Sequence, residues 1–189
     1  MEALPSHNSD DLILDAAIAV LATRGVAGLT QAAVDEELKC TSGTTATHYK
    51  TVRKLLEATA NRLVLVDSLE LASFRASAAG IAAVIERRFT PDGRQRLLAR
   101  LELVLYAARN PDFVTMHWAR DMIAAGAEAH MRIAGARTPR LAAEAVIAVV
   151  EGLSLHGFVT ARMPRRDRFA LIRRVLQGFF AETKARDRL

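Results

Sequence analysis

A chain of 189 residues with 51% apolar residues can bury a core and is not expected to be disordered. Its single cysteine, Cys40, excludes an internal disulfide, and we expect a cytoplasmic protein without a signal peptide. Ala, Leu, Arg and Glu dominate, and no strand-like alternation occurs, so the sequence predicts an all-α fold. The net charge of +5 weakly favours a polyanionic partner.

Helix start and stop signals divide the chain into about nine predicted helices. The first begins after Ser9 and ends at Arg24-Gly25. Thr30 caps a short second helix, and a third follows a three-residue connection. The predicted bounds after the first helix are Gln31–Leu38, Ser42–Tyr49, Thr51 to about Phe74, Ser77–Phe89, Gly93–Arg109, Pro111–Ile133, Pro139–Arg162 and Arg165–Lys184. The richest apolar stretch, 141–159, contains Glu144, Glu151 and His156, which argues against a membrane span.

Two short helices that follow a longer one predict a tri-helical helix-turn-helix. Ala33, Val34 and Leu38 would face the apolar side of the first helix, and Cys40 would be buried in the turn. The third helix is almost entirely small and polar, which is typical of a helix that enters the major groove closely. Its polar and small residues are Ser42, Gly43, Thr44, Thr45, Thr47 and His48.

The N-terminal sequence resembles the signature of the TetR/AcrR family of transcription regulators over about residues 10–57. The resemblance is carried by Ile13-Leu14-Asp15-Ala16-Ala17, Arg24-Gly25-Val26, Leu29-Thr30, Ala33-Val34, Gly43-Thr44-Thr45, His48-Tyr49 and Leu55-Leu56. Three positions depart from the family pattern, namely Lys39, Ala46 and Val52. The resemblance implies a DNA-binding domain over 1–50 and a ligand-binding and dimerisation domain over 51–189.

Each position of the helix-turn-helix has an expected role toward DNA. Thr30 would offer the second helix's N-terminus to a phosphate, and Lys39 would add a phosphate contact in the turn. Base edges or phosphates would be contacted by Ser42, Thr44, Thr45 and Thr47, with Gly43 allowing close approach. His48, Tyr49 and Lys50 would touch the DNA backbone or anchor the helix, and Lys54, or Arg53 beside it, would meet a phosphate. For Tyr49, packing into the core is the favoured alternative.

The C-terminal residues give weaker signals. Candidate ligand contacts are Phe74, Leu103, His117, Trp118, Met122 and His156, with core packing as the alternative for each. A homodimer through the last two helices, about 139–184, is predicted from apolar faces too broad for one core, although both faces could also pack within one monomer. One of these faces is a stripe of apolar and small residues at helical spacing, formed by Leu141, Ala145, Ala148, Gly152, Leu155 and Val159. No metal, cofactor or catalytic motif is recognised, so an enzyme is not expected.

The predicted function is that of a repressor released from a palindromic operator by a small apolar or amphipathic effector. The alternative is a ligand-binding helical dimer that no longer binds DNA. Two features motivate that alternative: residues 1–56 hold five basic and seven acidic side chains, a net charge of −2, and Ala46 stands where the family often has Tyr.

Overall fold

The computed structural model describes residues 9–73, 78–133 and 135–159, together with 164, 166–167, 170–171 and 174. Within these ranges the chain is all-α, as predicted, and no strand occurs. The eight helices are α1 Ser9–Gly28, α2 Gln31–Leu38, α3 Thr44–His48, α4 Val52–Ala72, α5 Ala78–Arg87, α6 Pro91–Arg109, α7 Thr115–Ile133 and α8 Pro139–Val159. Most of the ninth predicted helix, Arg165–Lys184, lies outside the described residues.

Helix α1 is interrupted at the glycine where the sequence predicts its end. Gly25 has φ +68° and ψ −178°, a conformation that residues with a Cβ rarely adopt. A Cβ at this position would also lie 3.0 Å from the Glu102 carboxylate, and the Val26 N–H donates to the same carboxylate at 3.4 Å. Helix α6 therefore contacts the connection between α1 and α2.

One compact unit comprises the residues up to Asp67 together with Asp92–Ala119. Its core joins the apolar side of α1 to α2, α4 and α6, and each fully buried large side chain contributes roughly 1.5–3 kcal/mol. Its most deeply buried large side chains are Ile13, Val20, Leu21, Leu29, Val34, Leu55, Leu63, Leu103 and Phe113. Two ion-pair groups reinforce this packing: Arg62 pairs with Asp11 at 3.1 Å and Asp15 at 3.0 Å, and Arg100 pairs with Asp67 at 3.1 Å.

A second compact unit comprises Ser68–Pro91 and the chain from Arg120 onward. Its core is formed by apolar residues of α5, α7 and α8, namely Ile85, Ala127, Met131, Ala143, Val146 and Val150. Phe89 meets Phe158 edge-to-face, with ring centroids 6.0 Å apart. A Cβ at Gly157 would lie 2.3 Å from the Phe89 ring, so this contact between the end of α5 and α8 requires glycine.

Helix α8 has an exposed apolar side. Leu141 and Leu155 are 69% and 50% exposed, and Ala148 and Gly152 are also exposed. Over Pro139–Phe158 this helix is long and apolar enough to cross a membrane, the one such case in the described part of the chain. It also carries Glu144, which pairs with Arg120, and an exposed Glu151. An amphipathic helix that packs one face into a protein core and exposes the opposite face can have the same composition as this helix.

The bounds of the two compact units differ from those of the functional domains predicted from the sequence, 1–50 and 51–189, which stay a prediction. Helix α4, which begins after residue 50, contributes the buried Leu55 and Leu63 to the core of the first unit, and α6 contributes Leu103. The first unit is therefore a packing unit that extends beyond the helix-turn-helix.

Candidate nucleic-acid interface

The second helix begins and ends where the sequence predicts. The Thr30 hydroxyl accepts a hydrogen bond from the Ala33 N–H at 3.0 Å, which confirms Thr30 as its N-cap. This bond leaves the earlier amides of Gln31 and Ala32 at the helix N-terminus, where an anion is favoured. Because the hydroxyl accepts in this bond, its own proton remains available, together with these amides, for the phosphate contact expected at Thr30.

The turn after α2 has a left-handed residue at its first position. Lys39 adopts φ +55° and ψ +39°, and it is the only non-glycine residue with positive φ in the described part of the chain. A glycine would adopt this conformation without strain, so the lysine holds the turn's geometry at a steric cost. Its side chain is exposed, as a phosphate contact would require.

A buried carboxylate joins α2 to α3. Asp35 is only 4% exposed, and its two oxygens accept from the Gly43 N–H at 2.6 Å and the Thr45 N–H at 2.8 Å. Charge-assisted bonds of this kind are stronger than neutral ones, and both end at the first turn of α3. Asp35 therefore fixes the start of the third helix. No sequence pattern indicated this role, because a single Asp in a short helix is most simply predicted to be exposed to solvent.

Hydrogen bonding lowers the pKa of Asp35 below its ordinary value of 3.8. The largest cause is the adjacent Thr45 hydroxyl, followed by the opposing effect of burial and then by the Thr45 and Gly43 amides. The hydroxyl itself is not aligned for a hydrogen bond of ordinary geometry, so we ascribe the anchoring to the two amides. Asp35 is thus ionised whenever α3 is in place near neutral pH.

Two sequence predictions in this region are corrected. The Thr45 side chain is completely buried, because it is the residue of short helix α3 that faces the core, so it is not available to base edges. Cys40 is exposed and not buried, because its backbone N–H and thiol are held over the C-terminal end of α2 by the Asp35 carbonyl.

The remaining polar residues of the third helix are directed outward. Ser42, Thr47 and His48 are exposed, and Thr44 is half-buried. The Thr44 hydroxyl donates to the Thr41 carbonyl at 2.6 Å, and the Thr47 hydroxyl donates to the Thr44 carbonyl at 2.7 Å. Because their protons are used within the helix, these oxygens can accept from base amino groups but not donate to phosphate.

The C-terminal end of α3 is anchored to α1 and α2. The His48 imidazole contacts the Asp10 carboxylate at 2.5 Å, and the Gln31 side-chain amide donates to the Tyr49 carbonyl at 3.0 Å. Tyr49 is half-buried against the core, in agreement with the packing role favoured from the sequence. Its pKa is raised by burial and then by the negative charges of Asp10 and Asp11.

Cations flank the third helix. Lys39, Lys50 and Lys54 are exposed and form no ion pair within the described residues. Lys54 lies in the first turn of α4, whose N-terminus is capped by the Thr51 hydroxyl at 3.2 Å from the Lys54 N–H. Arg53, by contrast, pairs with Glu57 at 2.9 Å and with Asp112 at 2.8 Å. Lys54 is therefore better placed than Arg53 to meet a phosphate.

Four acidic residues of this region are engaged within the protein. Asp35 is buried, Asp11 and Asp15 pair with Arg62, and Glu36 pairs with Arg24 at 2.9 Å. Asp10, by contrast, contacts His48 of α3, and Glu37 is exposed, so the negative charge of residues 1–56 is only partly engaged away from the third helix.

The predicted ligand residues lie in different environments. Leu103 is completely buried among Ala99, Ala107 and other core residues of the first unit, which corrects it to a packing residue. Trp118 is 55% exposed in the first unit, and Met122 and His156 are exposed in the second. Phe74 and the side chain of His117 lie outside the described residues. Within the described part, no group of His, Cys, Asp or Glu could hold a metal ion.

Comparison with known proteins identifies the family. Residues 72–182 match the tetracyclin repressor-like C-terminal domain. A transcriptional regulator from Rhodococcus sp. has the same fold, with a TM-score of 0.79, 16% identity and coverage of 93% of this chain and 97% of its own. A TetR-family member from Streptomyces coelicolor is 26% identical, with a TM-score of 0.72 and coverage of 91% and 98%.

The multidrug binding protein EbrR, in complex with ethidium, is also 26% identical, with a TM-score of 0.65 and coverage of 91% of this chain and 98% of its own. No curated protein is similar enough in sequence to count as a relative. The family match covers more than half of the chain and agrees with the helix-turn-helix geometry described above, so the chain belongs to the TetR family of transcription regulators.

Proposed function

We propose that this chain is a ligand-responsive regulator that binds a palindromic operator as a homodimer and, most simply, represses transcription until an effector releases it. The observation that best supports this proposal is that the third helix is held in place at both ends. Asp35 holds its start, and Tyr49 and His48 hold its end. The outward side presents Ser42 and Thr47. A recognition helix needs this combination of fixed backbone and exposed short polar side chains.

The lysines next to this helix supply the affinity that does not depend on sequence. Lys39, Lys50 and Lys54 come from the turn, the end of α3 and the first turn of α4. Phosphate contacts from such positions fix the register of a protein on the duplex, and base contacts then determine sequence. Thr44 and Thr47, whose oxygens are left as acceptors, would contribute the base contacts together with Ser42.

Dimerisation is supported by the exposed apolar side of α8. Leu141, Ala148, Gly152 and Leu155 lie at helical spacing and are exposed, while the opposite side packs into the core of the second unit. Small residues allow a partner helix to approach closely, and the same face on a second copy would be self-complementary under a two-fold axis. Such a dimer would place two α3 helices in successive major grooves, about 34–36 Å apart.

The effector class is inferred from the solved relatives. EbrR, 26% identical to this chain, has been crystallised with ethidium and with malachite green, which are aromatic cations. An apolar or amphipathic aromatic effector is the proposed class, and the candidate contacts from the sequence that are exposed are Trp118 in the first unit and Met122 and His156 in the second. Phe74 and His117 also remain candidates from the sequence. An effector that binds the released state about 100-fold better would supply roughly 3 kcal/mol of coupling. A cytoplasmic location follows from this role.

In-vitro selection of random duplex DNA at near-physiological salt tests the proposal. At that salt concentration non-specific phosphate binding is suppressed. We expect enrichment of one palindrome and release of the bound protein by a dye of the ethidium type or another aromatic effector. A folded dimer that enriches no sequence would instead favour the ligand-binding protein without DNA function, which the acidic balance of residues 1–56 and Ala46 motivate.

A further inference from the structure

Three of the five N–H donors of the Arg53 guanidinium bind acceptors within the protein. Its Nε donates to Glu57 Oε1 at 2.9 Å, its Nη1 to Asp112 Oδ2 at 2.8 Å and its Nη2 to the Asp112 carbonyl at 3.1 Å. Its carbon centre also lies 5.9 Å from the centroid of the Phe113 ring. The planar fork of arginine suits such a shared arrangement, which a lysine at this position could not reproduce.

The partner of Arg53 lies on a rigid turn between α6 and α7. The Phe113 N–H donates to the Asn110 carbonyl at 2.9 Å, and the Asn110 side chain donates to the Tyr106 carbonyl at 2.8 Å. Phe113 is 1% exposed and packs edge-to-face on Tyr106, with ring centroids 5.2 Å apart. Asp112 is therefore held beside a core aromatic, although its own side chain is exposed.

We propose that Arg53 is a positioning residue that fixes the first turn of α4, and with it the proposed phosphate contacts at Lys50 and Lys54, onto the α6–α7 turn. This inference rests on the DNA-binding function proposed above. Arg53 stands one residue before Lys54 and four after Tyr49, so it holds the segment that joins the third helix to α4. Three of its five N–H donors bind within the protein, whereas Lys39, Lys50 and Lys54 form no ion pair among the described residues.

Affinity measurements on the selected operator separate positioning from direct phosphate contact. The variants are Asp112→Asn and Arg53→Lys, with Glu36→Gln as the matched control because it also removes one carboxylate from an exposed arginine pair. A positioning role predicts that each test variant lowers specific affinity roughly three- to tenfold and makes the salt dependence less steep, because the phosphate contacts at Lys50 and Lys54 are weakened. The double variant should bind no more weakly than the weaker of the two single variants. A direct phosphate role predicts that Arg53→Lys retains affinity and that Asp112→Asn strengthens binding, which would overturn the proposal.

Amide hydrogen exchange of the free protein provides a readout that does not require DNA. We expect residues 50–57 to exchange roughly tenfold faster in Asp112→Asn than in the unmodified protein, and at an unchanged rate in Glu36→Gln. Unchanged exchange in Asp112→Asn would refute the positioning role. If no DNA sequence is bound, the proposed function fails, while the exchange result still decides whether Arg53 fixes this turn.

Discussion

Replacement of Asp35 by alanine removes the acceptor of two amides at the start of α3. The Gly43 and Thr45 N–H groups would each lose a charge-assisted bond, and an unsatisfied buried amide costs about 1–3 kcal/mol. Gly43 is exposed, so water can reach its amide after truncation. The total loss of stability for the two amides should therefore lie in the lower part of the sum of their two costs. We therefore expect Asp35→Ala to lower the free energy of unfolding by about 2–4 kcal/mol, a large part of a typical domain's stability.

Urea denaturation followed by circular dichroism measures this loss, with Glu37→Ala as the control on the same helix. Glu37 is exposed, so its replacement should change stability by less than about 0.5 kcal/mol. Operator affinity of Asp35→Ala should also fall under conditions in which the variant remains folded, because α3 loses its fixed start. An Asp35→Ala variant as stable as the Glu37→Ala control would refute the anchoring argument.

Four further outcomes are expected. The pKa of Asp35 is lowered in the folded protein, so the stability advantage of the native chain over Asp35→Asn should be fully present above its ordinary value of 3.8 and should shrink as the pH falls below it, measured by denaturation across pH. Lys39→Gly should raise stability by about 0.5–1 kcal/mol by relieving the left-handed lysine, yet reduce the steepness of the salt dependence of DNA binding by about 1–2 per dimer. Thr47→Ala should weaken operator binding, in a titration against the selected palindrome, without lowering the melting temperature, because its exposed side chain contacts no other element in the described residues. Leu155→Glu should convert a dimer to a monomer in analytical ultracentrifugation, and an intact dimer would argue against α8 as the interface.

Local sequence signals predicted the helix-turn-helix well where one residue determines the geometry. Thr30 as a cap placed the start of α2, and Gly25 placed the break in α1, because each acts on its own neighbours in the chain. Pro111 was less informative: α7 begins at Thr115, because Asn110–Phe113 forms a turn in which the proline precedes the helix.

The features that position the site depend on contacts between distant residues. Asp35 becomes an anchor only when α3 folds back onto α2, and the burial of Thr45 follows from the same contact. Arg53 and Asp112 are 59 residues apart, so no local pattern could predict their pair. The sequence thus indicated which helix would meet DNA, but not which residues hold that helix in place.

The central claim is that the surface around α3 binds a specific DNA sequence, and a salt-dependent titration tests it most directly. The protein would be titrated against the selected palindrome and a scrambled duplex of equal length. Three proposed lysine contacts per protomer would give six phosphate contacts per dimer, so the logarithm of affinity should fall with the logarithm of salt with a slope of about −5. The palindrome should be preferred at least roughly 1,000-fold at physiological salt. Equal affinity for the two duplexes would contradict the account.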